Sequence, residues 1–236
     1  MSRADESFSK MKEHKCKQTF SRNDSKYAEL LQLFTSVLKV KGRPFGQLNK
    51  PRFGMSDGND GVQWNISIST DSGTICLGVN LEGMKYKGWP ISRFILSEIA
   101  KPKIAEIGAE LKNPKDVYIR FSRDAWQVTA RPDIIDKYLC GREFTFAEID
   151  YDRWALMLSE ALDCLNKGAN YCGRAKQEVT LENRPKNGEQ VRFMEVSPHL
   201  TIWSPISLDG DVQEEIKRRI AELRPVYEWV MGASCP

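Results

Sequence analysis

The sequence lacks long apolar runs. No stretch of this 236-residue chain approaches the roughly 18–20 apolar residues that a membrane-spanning helix requires. The first 17 residues are polar and lack the apolar stretch of a signal peptide. With 41% hydrophobic and 28% charged residues, the composition is that of a folded protein rather than a disordered or fibrous one. We therefore expect a cytoplasmic protein that does not contact a membrane.

Soft metal ligands are scarce and poorly spaced. The chain has two histidines, His14 and His199, and its six cysteines form no Cys-x-x-Cys pair. Structural zinc sites normally show two close ligand pairs, so we expect no zinc. We expect the cysteines to be reduced, with Cys76 and Cys164 as packing residues of regular elements.

Motifs for nucleotide cofactors are absent as well. The sequence contains neither a phosphate-cradling P-loop nor a Gly-x-Gly-x-x-Gly pattern, and it has no Gly-x-Ser-x-Gly elbow. These absences disfavour kinases, dehydrogenases and Ser-His-acid hydrolases. We expect no nucleotide cofactor.

Hydrophobic periodicity predicts an α+β fold. Apolar stripes indicate helices at 26–39, 91–100, 152–166 and 212–224, and alternation indicates strands at 62–69, 74–81, 117–121, 127–130, 178–182 and 190–196. Several of these strands are joined by short turn sequences, which favours a mostly antiparallel sheet built from hairpins with flanking helices. The length predicts a single domain over residues 1–236, with residues 1–23 as a basic N-terminal extension.

Charge is divided unevenly along the chain. The total is +3, but the residues up to Arg52 carry +7 and the remainder carries −4. A basic front indicates a polyanionic partner such as duplex DNA, because Lys and Arg gain affinity by releasing phosphate counterions. The alternative is a solvated, partly disordered tail. The Gly/Pro- and Phe-containing segment 41–53 favours a contact loop, with candidate contacts at Lys41, Arg43, Asn49, Lys50 and Arg52.

The first hairpin brings acidic residues and a lysine together. If Ser72-Gly73 is a two-residue turn, Trp64 faces Leu81 on an apolar side, and the other side is polar. The same register places Asp60 beside Lys85, with Glu82 close by. Carboxylates in this arrangement suit a hard cation such as Mg²⁺, and the lysine suits an attacking water. The alternative is a turn-rich loop with solvated lysines.

These three residues resemble the active-site pattern of the PD-(D/E)xK nucleases, which include many type II restriction endonucleases. The resemblance covers about 30 residues and makes Asp60 the first acid, Glu82 the second and Lys85 the lysine. It departs from the family because Glu82-Gly-Met-Lys85 has one residue too many and no proline precedes Asp60. The resemblance implies a Mg²⁺-dependent DNA endonuclease, often dimeric, with Asp60 and Glu82 as metal ligands.

Further candidates flank this hairpin and a second one. Lys87, Trp89 and Arg93 follow the acids, and aromatic and cationic side chains suit stacking on bases and gripping phosphates. Later in the chain, Arg174 and Lys176 are further candidate phosphate contacts. With Asn187-Gly188 as a two-residue turn, Thr180 faces Glu195, and His199 lies beyond the paired region, facing Lys176.

A lone histidine near a carboxylate suits general base catalysis, or it is a structural donor near a strand end. Three functions therefore remain: a metal-dependent site-specific DNA endonuclease, for which we expect a homodimer; a non-catalytic nucleic-acid-binding protein; and a metal-independent nucleic-acid enzyme centred on His199 and Glu195.

Overall fold

In a computed structural model, residues 25–45, 52–59, 61–69, 74–82, 90–125, 138–166, 175–180, 191–207 and 210–234 are described. They form an α+β fold of six α-helices and one eight-stranded sheet. The helices are α1 (Ser25–Leu38), α2 (Pro90–Ala100), α3 (Ile104–Glu110), α4 (Tyr151–Asn166), α5 (Val212–Glu222) and α6 (Arg224–Ser234). The strands are β1 (Arg43–Phe45), β2 (Arg52–Ser56), β3 (Val62–Ser69), β4 (Thr74–Glu82), β5 (Tyr118–Ala125), β6 (Phe144–Thr145), β7 (Ala175–Thr180) and β8 (Val191–Pro205).

The sheet is antiparallel, and its longest strand lies near the middle. The strand order is β1-β2-β3-β4-β8-β5-β6, and β7 pairs with β8 outside this path. The 15-residue strand β8 pairs with β4 through residues 199–205, with β5 through residues 196–203 and with β7 through residues 191–196. Strand β8 therefore lies between β4 and β5, which do not pair with each other.

One face of the sheet is apolar and packs against the helices. Alternate residues such as Ile66, Leu77, Ile119 and Ile202 are fully buried, as expected when one side of each strand faces the core. Three contacts show how the helices cover this face. Trp64 stacks on Tyr227 of α6 at 4.8 Å, Phe121 stacks on Trp154 of α4 at 5.9 Å, and Arg219 of α5 donates to Ser204 at 2.9 Å.

The helical layer holds a buried carboxylate. Glu98 of α2 is 1% exposed and accepts hydrogen bonds from the indole N–H groups of Trp154 at 3.1 Å and Trp229 at 2.8 Å. The backbone N–H of Lys103 donates to the same carboxylate at 3.1 Å. Because three N–H donors replace water, the carboxylate is satisfied where it lies, and it ties α2 to α4 and α6.

The two faces of the first hairpin are as predicted, but its register is not. We expected Trp64 opposite Leu81, whereas the structure pairs Val62 with Leu81 and Trp64 with Val79. Strand β3 ends at Ser69 and β4 begins at Thr74, and these two residues pair with each other, so the register differs from the one expected for a two-residue turn at Ser72-Gly73. The resulting shift of two residues leaves each side chain on the predicted face because the side-chain period of a strand is two.

The second hairpin differs by more. Thr180 pairs with Val191 instead of Glu195, and Lys176 pairs with Glu195 instead of facing His199. The described pairs are offset by four residues from the register expected for a two-residue turn at Asn187-Gly188, and those two residues lie outside the described part of the chain. His199 consequently lies within β8, paired on both sides, rather than beyond the paired region.

Other segment predictions have mixed outcomes. Helices α1, α4 and α5 match the predicted ranges within about two residues, a usual margin for helix ends. The strand predicted at 117–121 extends as β5 to Ala125, with Arg123 paired to Pro198. The predicted contact loop 41–53 contains strand β1 and the beginning of β2, and helix α3 was not predicted. The basic extension 1–23 and the predicted strand 127–130 lie outside the described residues. None of the described helices is long and apolar enough to cross a membrane.

Candidate nucleic-acid interface

The face of the sheet opposite the helices, here called the polar face, presents polar and aromatic side chains. The strand register arranges its middle into three rows that run across β3, β4, β8 and β5. The central row is Gln63, Asn80, Thr201 and Arg120; the aromatic row is Asn65, Gly78, Trp203 and Tyr118; and the histidine row is Glu82, His199 and Ser122. Neighbouring rows are about 7 Å apart because they are separated by two residues along each strand.

The central row contains two buried polar atoms without a partner. Oδ1 of Asn80 and Nε of Arg120 are buried, and neither has a hydrogen-bond partner in the described part of the chain. They flank Thr201, with their Cα atoms about 10 Å apart at two strand spacings. Leaving a buried polar atom unpaired costs about 1–3 kcal/mol, so two in one row indicate a place where a ligand or water supplies the missing bonds.

The aromatic row contains a fixed ring stack. Tyr118 and Trp203 lie on neighbouring strands with ring centroids 4.3 Å apart and planes at 12°. The indole N–H of Trp203 donates to Glu143 at 2.7 Å, which fixes the ring orientation. On the β4 side, the residue opposite Trp203 is Gly78, which has no side chain to cover that ring.

Arg120 is held by the same carboxylate that orients the tryptophan. Its Nη1 donates to Glu143 at 2.9 Å and to the hydroxyl of Tyr138 at 3.3 Å, and the guanidinium lies 5.2 Å from the Tyr138 ring centroid. The Arg120 side chain is only 15% exposed. Since planar guanidinium groups bind phosphate and base edges in a fixed geometry, a preoriented arginine at this position is suited to nucleic-acid recognition.

The histidine row joins two predicted site residues that the sequence placed in separate constellations. Glu82 of β4 is the direct cross-strand partner of His199, and Ser122 of β5 is the partner on the other side. Glu195, the predicted partner of His199, is four residues away in β8, about 13 Å along the strand, and pairs with Lys176. The structure therefore brings His199 to Glu82 and not to Glu195.

Only part of the predicted metal site lies within the described residues. Asp60 and Lys85 lie outside the described residues, and of Glu82 only the strand position is described. The register expected to place Asp60 beside Lys85 is shifted by two residues in β3 and β4. Among the residues that the structure describes, no three His, Cys, Asp or Glu side chains come close enough together to hold a metal ion.

The predicted nucleic-acid contacts fall into three groups. Lys41 and Arg43 are exposed at the β1 edge, where Arg43 donates to the Gly58 carbonyl at 3.4 Å and pairs with Ser56 beside the aromatic row. Arg93 is exposed on α2, in the helical layer on the other side of the sheet. For the remainder, the strand positions of Arg52 and Lys176 are described, whereas Asn49, Lys50, Lys87, Trp89 and Arg174 lie outside the described residues.

Sequence reasoning missed the middle of the polar face. Asn80 was recognised only as part of a polar hairpin side, and Tyr118, Arg120 and Glu143 were not singled out. The available signal was the polar alternation of each strand, since Asn80 alternates with Val79 and Leu81, and Arg120 with Ile119 and Phe121. Their convergence depends on β8 lying between β4 and β5, which no local pattern indicates.

In comparisons with known proteins, no family model, no curated protein and no solved structure matches this chain significantly. The arrangement of the site itself is therefore the basis for a functional proposal.

Proposed function

We propose that this protein binds nucleic acid on the polar face of its sheet and hydrolyses the phosphodiester backbone there, as an endonuclease. The single observation on which the proposal depends is the side-by-side arrangement of the histidine, central and aromatic rows on one face of the sheet. Together they offer a histidine next to a glutamate position, an arginine, amides and stacked rings.

Binding is supported by the kinds of side chain on this face. Amide and guanidinium groups form hydrogen bonds with base edges, and aromatic rings stack on bases. The exposed Lys41 and Arg43 at the sheet edge supply the positive charge that attracts phosphates. The uneven distribution of charge in the sequence, +7 up to Arg52, agrees with such a partner.

Hydrolysis is assigned to His199. As a general base, the imidazole takes a proton from a water molecule while the water oxygen attacks the phosphorus atom. The bond between phosphorus and the leaving sugar oxygen then breaks, this oxygen takes a proton from solvent water, and the imidazolium returns its proton to solvent. Glu82 occupies the adjacent register position on β4, and we assign to it the role of orienting the imidazole. In the metal-dependent version of this proposal, Glu82 and Asp60 would hold Mg²⁺, which would supply Lewis-acid activation of the phosphate.

Cleavage of supercoiled plasmid and of single-stranded circular DNA, each with Mg²⁺ and with EDTA, tests the proposal. We expect nicked or linear products from the wild-type protein and a loss of at least 100-fold in rate for His199→Ala, the usual contribution of a general base. His14→Ala is the matched control because it changes the other histidine of the chain, and it should retain activity.

Activity only with Mg²⁺ and its loss in Glu82→Ala would favour the metal-dependent version. Absence of cleavage under every condition would contradict the assignment of hydrolysis.

The second candidate is a non-catalytic nucleic-acid-binding protein. It is favoured by the aromatic and central rows, which are complete recognition elements without the histidine row. Salt-dependent gel shifts without cleavage would support it. Light scattering in the same buffers tests the expected homodimer, since cutting both strands of a duplex calls for two active sites related by a two-fold axis.

A further inference from the structure

We infer that the central row is the binding site for a single unstacked nucleobase, which lies over Thr201 between Asn80 and Arg120. This inference rests on the proposed nucleic-acid function and specifies which part of the polymer the polar face holds. The two buried atoms without a partner are complementary in type, because Oδ1 of Asn80 accepts a hydrogen bond and the Nε–H group of Arg120 donates one.

A nucleobase supplies what these two atoms lack. The edge of each base carries an N–H donor next to an oxygen or ring-nitrogen acceptor. A phosphate group carries acceptors only, so it satisfies Arg120 and leaves Asn80 unpaired. The donor–acceptor pair therefore selects a base over the sugar–phosphate backbone.

The surroundings of the row fit the same occupant. Thr201 is small and lies between the two polar groups, whereas Trp203 lies beside the row, two residues farther along β8. The Glu143 carboxylate accepts hydrogen bonds from Trp203 at 2.7 Å and from Arg120 at 2.9 Å, so the indole ring and the guanidinium group are fixed relative to each other. A preoriented site of this kind loses little conformational entropy when it binds a flat ligand.

The position next to the histidine row links binding to chemistry. His199 lies two residues before Thr201 on the same strand, about 7 Å away. That spacing is comparable to the distance between a base and its own phosphate. A base bound over Thr201 therefore places a phosphate near His199, and the substrate must be single-stranded or have one base turned out of the duplex.

The test compares two oligonucleotides of equal length and charge, one with bases and one abasic, by fluorescence anisotropy at a single salt concentration. We expect the base-bearing strand to bind wild-type protein at least about tenfold more tightly, since one base stacked and hydrogen-bonded in a protein site is worth this much or more. The Asn80→Leu variant should bind both strands with nearly the affinity that the wild type shows for the abasic one.

A stability measurement separates this role from a structural one. Because Oδ1 of Asn80 is buried without a partner in the described residues, Asn80→Leu should unfold at the same or a higher temperature than the wild type while losing base preference. Ser67→Ala is the control: Ser67 lies on β3 two rows away, and the variant should keep the preference.

Two results would overturn the inference. Equal binding of both strands by the wild type would refute a base site and leave nucleic-acid binding intact, as would an unchanged preference in Asn80→Leu. Binding of neither strand would refute the base site and the proposed function together.

Discussion

At the scale of single residues, Glu98 shows how a charge is accommodated in the core. Its carboxylate receives three N–H groups, two from tryptophans that lie on different helices. Glu98→Ala leaves both indole N–H groups buried without an acceptor. We expect the free energy of unfolding to fall by about 2–5 kcal/mol, as for other broken networks of buried hydrogen bonds.

Urea denaturation with tryptophan fluorescence measures this change directly. Glu98→Gln should recover only part of the loss because one indole N–H would then face an NH₂ group. Glu110→Ala, at an exposed glutamate of α3, is the control and should stay within about 0.5 kcal/mol of the wild type. A wild-type stability for Glu98→Ala would contradict the role assigned to this carboxylate.

Cys140 is a second residue whose surroundings determine its chemistry. Burial raises the pKa of its thiol to about 12, and the negative charge of Glu160 and its hydrogen bond to the thiol act in the same direction. At pH 8 only about one thiol in ten thousand is then ionised. We expect Cys140 to resist iodoacetamide in the folded protein, with a labelling rate that rises tenfold per pH unit.

Mass spectrometry of the labelled peptide gives the rate for this cysteine alone. Glu160→Gln removes the charge that disfavours the thiolate, so labelling should become faster. Asp152→Asn alters an exposed carboxylate in the first turn of the same helix and should leave the rate unchanged. Rapid labelling of Cys140 at pH 8 in the folded wild type would be inconsistent with the raised pKa.

At the scale of elements, the close approach of β4 and β8 depends on Gly78. A Cβ atom at this position would lie 2.4 Å from the carbonyl oxygen of Ile202 and 2.9 Å from Cβ of Trp203. Because the nearest atom belongs to the backbone, the strands must separate to accept it. We expect Gly78→Ala to lower the free energy of unfolding by about 1–3 kcal/mol, as overpacking usually does.

Thermal unfolding tests this prediction against a matched glycine. Gly232 lies in helix α6 with nothing within 4 Å of its would-be Cβ. Gly232→Ala should therefore stabilise the protein, by up to about 1 kcal/mol, through helix propensity alone. Equal effects of the two substitutions on the free energy of unfolding would show that β4 and β8 accommodate a Cβ atom at position 78 without separating.

The strands also show what sequence patterns determine and what they leave open. Alternation predicted which residues of β3 and β4 face the core because successive side chains of a strand point to opposite faces. It did not predict the register, since Trp64 opposite Val79 and Trp64 opposite Leu81 give the same two faces. Alternation alone does not decide between these two registers because they differ by two residues.

The candidate site was predictable only in parts for a related reason. His199 and Glu82 were both recognised by residue type, but each was assigned a partner close in sequence, Glu195 and Lys85. The structure pairs them with each other across more than 100 residues of chain. Local patterns contain no information on which hairpins become neighbours, so they could not predict the central row.

At the scale of the whole molecule, the uneven charge predicts how binding responds to salt. Each phosphate contact that is lost lowers the slope of log K against log salt by about 0.7–0.9. The double substitution Lys41→Gln and Arg43→Gln should therefore reduce the slope by an amount that corresponds to the loss of up to about two phosphate contacts. Lys112→Gln with Lys115→Gln, exposed lysines beyond α3, should leave it unchanged.

Anisotropy titrations from low to moderate salt give these slopes. The base preference of the Lys41/Arg43 variant should persist, because neither residue belongs to the central row. A slope that both double substitutions lower equally would indicate diffuse attraction to the whole surface rather than contact at the β1 edge.

The position of β8 has a consequence for how the chain reaches this structure. Strands β4 and β5 are both synthesised before β8, yet neither pairs with the other, and each depends on β8 for one of its neighbours. In a nascent chain that has not reached residue 191, the edges of β4, β5 and β7 that pair with β8 are therefore unpaired and open to pairing with other chains. We expect folding to be slow and completed only after β8 has left the ribosome, and expression at high level to favour aggregation of incomplete chains.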